Sequence, residues 1–181
     1  MKKLLSIILC VLMLCSLSAC VDTDTPSKET SKNQEPSNSQ KQETNTPEKK
    51  DETFGIGDTA AFNELKFTAN ELKESKGDDF FTPEDGKTFV GIKFTIENVS
   101  NEEQSISSLL QFEAYANDVK CDYSVSAACV FDEGTLDGSV APGKKLVGWY
   151  ALEVPSDWSS IEIDVLPSLF SNNTAKFVFA K

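Results

Sequence analysis

The side chains able to do chemistry in this chain are unevenly supplied. Its 181 residues include five cysteines, 29 acidic residues and 17 lysines, with no arginine and no histidine. Without histidine there is no Ser-His-Asp triad, no Cys-His pair and no imidazole-ligated zinc site. Cys10, Cys15 and Cys20 stand near the amino terminus, whereas Cys121 and Cys129 lie in the body of the chain. Outside the cytoplasm, two thiols at the Cys121–Cys129 spacing suggest a disulfide pinning the loop after the Val119 strand to that strand. Two reduced, buried cysteines are the alternative. A redox pair is disfavoured, because the spacing is not Cys-x-x-Cys and no cation-rich motif stands by to lower a thiol pKa. Carboxylates gather at Asp78-Asp79, at Glu84-Asp85, and at Asp132-Glu133 with Asp137. None matches an EF-hand loop, and calcium needs about six to eight converging oxygens. A solvated acidic rim is therefore expected rather than a metal site. No Ser-x-x-Lys stands in the folded part, and a small sandwich rarely has a cleft for the paired acids of a glycosidase. Neither a cofactor nor an enzymatic activity is expected.

The amino end carries a different chemistry. MKKLLSIILCVLMLCSLSAC sets Lys2 and Lys3 before an uncharged apolar run, Leu4 to Leu17, and small residues follow. That is the layout of a secretory signal. The run has 14 residues, short of the roughly 20 that a spanning helix needs. Leu17-Ser18-Ala19-Cys20 resembles the lipobox of bacterial lipoproteins: an aliphatic residue, two small ones, then cysteine. Cys10 and Cys15 lack this pattern, because the bulky Leu9 and Leu14 precede them. The resemblance implies that residues 1–19 leave as a signal peptide. Cys20 then takes a diacylglyceryl group and becomes the first residue of the mature chain. Two acyl chains hold a protein stably where one holds it only marginally. The implied address is the extracytoplasmic face of the cell membrane, reached through diacylglyceryl-cysteine.

Residues 20–53 then read as a tether. Val21 to Thr53 is Ser, Thr, Asn, Gln, Lys, Glu, Asp and Pro with a single aliphatic residue. Such a composition buries too little apolar surface to offset the entropy of ordering, so a disordered spacer is expected. The formal net charge of -12 argues against nucleic acid, which needs a cationic surface.

From Phe54 to Lys181 the apolar residues recur with period two. In KTFVGIKFTIEN, Val90, Ile92, Phe94 and Ile96 share one face while Lys93, Thr95 and Glu97 share the other. SSLLQFEAYA repeats the pattern with Leu110, Phe112 and Ala114, and Asn117-Asp118 offers a turn. VKCDYSV places Val119, Cys121, Tyr123 and Val125 together, and KKLVGWYALEVP alternates through Leu146, Gly148, Tyr150, Leu152 and Val154. LKFTANEL, SSIEIDVL and TAKFVFAK add further runs. The expectation is an all-β, antiparallel sandwich of seven or eight strands. Gly86 suits a positive-φ turn, Asn98 a strand end, and Gly148 a bulge or a close approach beneath a large side chain.

GKTFVGIKFTIENVS (Gly86 to Ser100) and APGKKLVGWYALEVPSDW (Ala141 to Trp158) resemble the two signature strands of secreted bacterial domains of unknown function. Those domains are grouped with the immunoglobulin-like fold of mycobacterial immunoprotective extracellular proteins. The resemblance implies an immunoglobulin-like sandwich, often carried on a lipoprotein behind a linker, and brings no reaction or ligand. Among the aromatic residues, Phe80 and Phe81 fall in a segment expected to be a loop, and Trp149 lies on the opposite strand face from Tyr150. Trp158 ends the second signature. For Phe80, Phe81 and Trp149 core or edge packing is the first expectation, and the alternative is a contact surface for a protein or peptide partner in the envelope. The chain thus reads as a membrane-anchored binding module, or as a passive accessory of an envelope complex.

Overall fold

The period-two runs become strands in the computed structural model, which describes residues 25–29, 52–131 and 134–181. In chain order the first are β1 (Ser27–Glu29), β2 (Thr53–Phe54), β3 (Thr59–Ala61), β4 (Leu65–Ser75), β5 (Lys87–Asn98) and β6 (Gln104–Ile106). Then come β7 (Phe112–Ala116), β8 (Val119–Cys121), a helix α1 (Val125–Val130) and β9 (Gly138–Val140). The chain ends with β10 (Lys145–Pro155), β11 (Ser160–Val165) and β12 (Ala175–Ala180). One sheet runs β1-β3-β4-β5-β10, the facing sheet runs β2-β12-β11-β7-β8, and β6 pairs with β9. Pairing between the named strands is antiparallel except for β2 with β12. This is an all-β sandwich.

Alternation explains which side chains meet between the sheets. Phe67, Ile92, Phe94, Ile96, Tyr150 and Leu152 of the first sheet face Phe112, Ala114, Ile161, Ile163 and Phe177 of the second, all buried in one cluster. Phe112 sits at the centre. Its ring stacks on Tyr150 at 5.0 Å and meets Phe94 edge-on at 5.6 Å. Such pairs add to the area that the rings bury. Asn117 and Asp118 both take positive φ, 50° and 64°, as the two-residue turn between β7 and β8 requires. Gly86 has φ 80° at the turn before β5. A Cβ on Gly148 would lie 2.7 Å from the Thr135 carbonyl oxygen. The close approach read from the sequence is real, but it is made by backbone and not by a large side chain.

Several sequence expectations need correction. The described residues hold twelve strands, because pairings of two or three residues are too short to show a period. β8 stops at Cys121, and Val125 opens a short helix capped by Ser124, whose hydroxyl accepts from the Ala127 N–H. Leu110 is not inward-facing. It lies in the loop before β7 and is 62% exposed. The expected spacer is also partly ordered. Ser27–Glu29 lies against β3, with Ser27 opposite Ala61 and Glu29 opposite Thr59. Lys28 reaches Asp58 at 2.7 Å and lies over the Phe54 ring. Composition measures side-chain burial, whereas an edge strand needs only a free row of backbone donors and acceptors. Of residues 20–51, those outside 25–29 lie beyond the described residues.

Asn98 ties one end of the sandwich together. Its side chain is fully buried. Its Nδ2 donates to the Glu102 and Val140 carbonyls, each at 2.7 Å. Its Oδ1 accepts from the Ser100 N–H and hydroxyl at 2.9 and 2.8 Å. Its backbone N–H donates to the Lys144 carbonyl, and its carbonyl accepts from the Gly143 N–H. On the outer face of the second sheet, by contrast, Asp164 is half-buried and its Oδ1 has no hydrogen-bond partner. Burial raises its pKa; Lys176 opposes the shift, and Glu162 and Glu113 add to it.

Two outcomes follow. Asn98→Ala takes the amide donor from the buried Val140 carbonyl, while the Glu102 carbonyl keeps the Ser100 hydroxyl as a donor, so denaturant unfolding of the purified chain is expected to show a loss of about 2 kcal/mol. The raised pKa of Asp164 means that the native state holds a proton the unfolded chain releases, so its contribution to stability falls as pH rises through that folded pKa. Asp164→Asn is expected to raise the denaturation midpoint at neutral pH. That advantage should shrink below about pH 4, where both forms are neutral.

Candidate functional site

β4 and β5 are joined by the loop that carries Phe80 and Phe81, and a short set of contacts shapes it. Gly77 takes φ 87°, and a Cβ there would fall 2.1 Å from the Phe81 carbonyl oxygen, so only glycine fits. The Asp78 N–H donates to that same oxygen at 2.8 Å. Asp78 Oδ1 accepts from the Phe81 and Phe80 N–H groups at 2.7 and 2.8 Å. These two bonds hold the Asp78 carboxyl below its usual pKa. Phe80 is thereby presented to solvent on a preorganised turn, 87% exposed, with Phe81 beside it at 37%.

Trp149 does not join them. Strand alternation correctly places it on the outer face of the first sheet, but α1 covers that face. Phe131 stacks on Trp149 at 5.2 Å, and Lys73 and Lys93 lie over its ring. The indole is 3% exposed and packs with Phe89, Ala127 and Ala151, so it is core and not contact surface. Gly91 belongs to the same contact, since a Cβ there would press on the Phe131 ring at 3.0 Å. Trp158 is likewise buried, between the sheets.

The cysteines are also placed differently from the expectation. Cys121 and Cys129 are free thiols. Cys121 ends β8 and packs against the core between the sheets. Cys129 is exposed, on the helix that packs outside β5 and β10. Burial, helped by Asp122, pushes the Cys121 thiol up to about 11, which makes it a poor nucleophile. Cys121, Tyr123, Tyr150, Phe112 and Leu109 line a cleft of about 230 Å³, below the roughly 300 Å³ at which small-molecule pockets begin. Burial also raises the Tyr150 hydroxyl, so it stays protonated.

The acidic loops are engaged internally. Glu84 pairs with Lys87 at 2.7 Å, and Asp137 accepts from the Ser108 N–H and hydroxyl at 2.9 and 2.8 Å. Among the described residues no three potential ligands converge on a metal position. Asp132, Glu133 and Cys20, the expected lipidation site, lie outside the described residues, and no described helix is long and apolar enough to cross a membrane.

Sequence reasoning missed a second exposed apolar group, at the opposite end from Phe80. Leu109 and Leu110 precede β7, and Leu169 and Phe170 lie between β11 and β12. The signal was an apolar pair inside a turn-rich segment, Pro167 to Asn173. For the thiols, a reagent applied to the folded, unreduced chain at pH 8 is expected to modify Cys129 promptly. Cys121 should react about a hundredfold more slowly than an ordinary thiol until the chain unfolds. Two thiols silent until reductant is added would contradict the free state.

The sandwich is similar to those of solved bacterial proteins. It matches the Bacillus subtilis "putative lipoprotein (ycdA)" with a TM-score of 0.55 at 11% identity, over 65% of this chain. This chain spans only 37% of that protein's length. The yjhA protein of Bacillus subtilis matches with a TM-score of 0.53 at 17% identity, over 70% of this chain and 97% of that one. A β-sandwich protein of Clostridium difficile matches with a TM-score of 0.50 at 23% identity, over 76% and 99%. At these identities the likeness concerns the fold. No curated protein matches the chain. Residues 54–176, which take in both signature strands and all of the inter-sheet core but Phe177 and Phe179, match the domain of unknown function DUF4352, and the chain belongs to that family.

Proposed function

We propose that this chain is a lipid-anchored lipoprotein of the cell envelope whose extracytoplasmic sandwich binds a protein or peptide partner. The anchor half of this reading rests on Leu17-Ser18-Ala19-Cys20 behind a short apolar run, and the ycdA likeness is in keeping with it. Kinship with the immunoglobulin-like mycobacterial immunoprotective proteins is part of the same proposal and rests on the two strand motifs. The observation that carries the binding half is Phe80. A large aromatic side chain, 87% exposed, is held on a turn that only Gly77 permits. A rigid aromatic anchor is what binding surfaces concentrate their energy in, because little entropy is lost on contact.

The reading includes no catalysis. Cys121 is buried with a raised pKa, and the cleft beside it is small. In the Phe80 loop Asp78 is spent on backbone N–H groups and Glu84 on Lys87. It includes no nucleic acid, in keeping with the acidic charge.

Two experiments test the halves separately. Cys20→Ala is expected to leave the protein unprocessed or to release it from the membrane fraction; normal maturation with full membrane retention would count against the anchor. For the binding surface, cross-linking on intact cells is expected to capture a partner. Phe80→Ala and Gly77→Ala should each weaken that capture at least about tenfold while circular dichroism stays unchanged. Capture unaffected by either substitution, or no adduct at all, would favour the passive accessory instead.

A further inference from the structure

The two ends of the sandwich differ, and the tether emerges from one of them. In the first sheet Leu65 lies opposite Asn98, and Glu97 opposite Lys145, so the Asn98 knot marks one end. The other end has Ser75, Lys87 and Pro155, and it carries the Phe80 loop. β10 leaves at this far end, where the Ser156 N–H donates to the Gly86 carbonyl, so β11 starts there. Val165 of β11 therefore arrives at the Asn98 end, with Phe112 and Ala175 opposite it. Ser27 of β1 is opposite Ala61, which is opposite Lys66, so the chain preceding β1 also leaves at the Asn98 end.

That end carries the missed apolar residues. Leu109 is 70% exposed and Phe170 94% exposed. Gln111 draws their two loops together: its carbonyl accepts from the Leu166 N–H at 2.8 Å, and its Nε2 donates to the Leu166 and Pro167 carbonyls at 3.3 Å. Four large apolar side chains, Leu109, Leu110, Leu169 and Phe170, thus stand on two coupled loops at one end.

The length of chain between β1 and the lipobox says what covers them. Cys20 is seven residues before Ser27, and seven residues reach at most about 25 Å. Because β1 is docked on β3, the anchored end of the sandwich is tied to within that distance of the lipid. A spacer free as far as Phe54 would allow roughly 110 Å instead. A chain of net charge -12 is not drawn to anionic headgroups, and the outer face of the second sheet is a charged one, with Glu113, Glu162 and Asp164 beside Lys120 and Lys176, which pair with Glu113 and Glu162. Lying on that face is unfavourable. Standing on the apolar end is not.

The geometry points to Leu109, Leu110, Leu169 and Phe170 as a membrane-docking tip that seats the sandwich end-on on the bilayer holding its own lipid, with the Phe80 loop outward. This rests on the lipid anchor proposed at Cys20.

The test uses the full, lipidated chain in phosphatidylglycerol–phosphatidylethanolamine vesicles, with and without brominated acyl chains. Tryptophan is introduced as Phe170→Trp at the tip or as Phe80→Trp at the far end, and the emission of the unsubstituted chain is subtracted. The expected result is that the Phe170→Trp signal shifts to the blue on vesicles and falls at least twofold with brominated lipid, while the Phe80→Trp signal stays unquenched. Flotation of the protein with vesicles but no bromine quenching at position 170 overturns the docking tip and leaves the lipid anchor standing. A blue shift at 170 that grows with protein density, without bromine quenching, assigns the tip to a second copy and also overturns it. A processed chain that does not float removes the anchor and the inference with it.

Discussion

The hydrogen bonds of Asn98 are the constraint on which one whole end of this molecule depends. A single buried residue meets three segments at once: its amide holds the turn through Ser100 and Glu102 and the end of β9 at Val140, and its backbone holds the approach to β10 at Gly143 and Lys144. Its side-chain hydrogen bonds go to neighbouring backbone and to the Ser100 hydroxyl. Buried polar groups are stabilising only when so satisfied, and costly otherwise. Hydrophobic burial between the sheets supplies the bulk of the folding energy, but it is non-directional. Asn98 supplies direction, setting where β5 stops and where β10 begins, and so the register in which Lys145 lies opposite Glu97.

From that register the rest of the polarity follows. β5 and β10 pair along their full length, so the far ends of both are placed once the near ends are. The Phe80 loop springs from one end, and the apolar loops and β1 belong to the other. The exposed aromatic surface and the tether are therefore separated by the length of the sandwich. In the lipoprotein proposed above, the Phe80 loop would therefore face away from the membrane.

How much of this was legible in the residues depends on length and on what covers each face. β5, β10, β11 and β12 each run six residues or more, long enough for alternation to speak, and Asn117-Asp118 announced its own turn. β1, β2 and β9 were not legible, because two or three paired residues carry no period. The Trp149 assignment failed for a sharper reason. Alternation tells which face a side chain takes, and it was right. It does not tell whether that face meets water, and a six-residue helix was enough to close it. Leu110 failed the opposite way, since extending the alternation one step beyond the start of β7 turned a loop residue into a core residue. That one of Phe80 and Phe81 faces outward was legible, because two adjacent residues in an extended segment cannot both point inward; which of the two was not.

The claim on which the functional account stands is the address written at Cys20. Mass spectrometry of the amino-terminal peptide of the mature protein, isolated from membranes, measures it directly. The account predicts a peptide that begins at Cys20 and carries a thioether-linked diacylglycerol. A mature chain that begins elsewhere, or a Cys20 recovered as a free thiol, would contradict it.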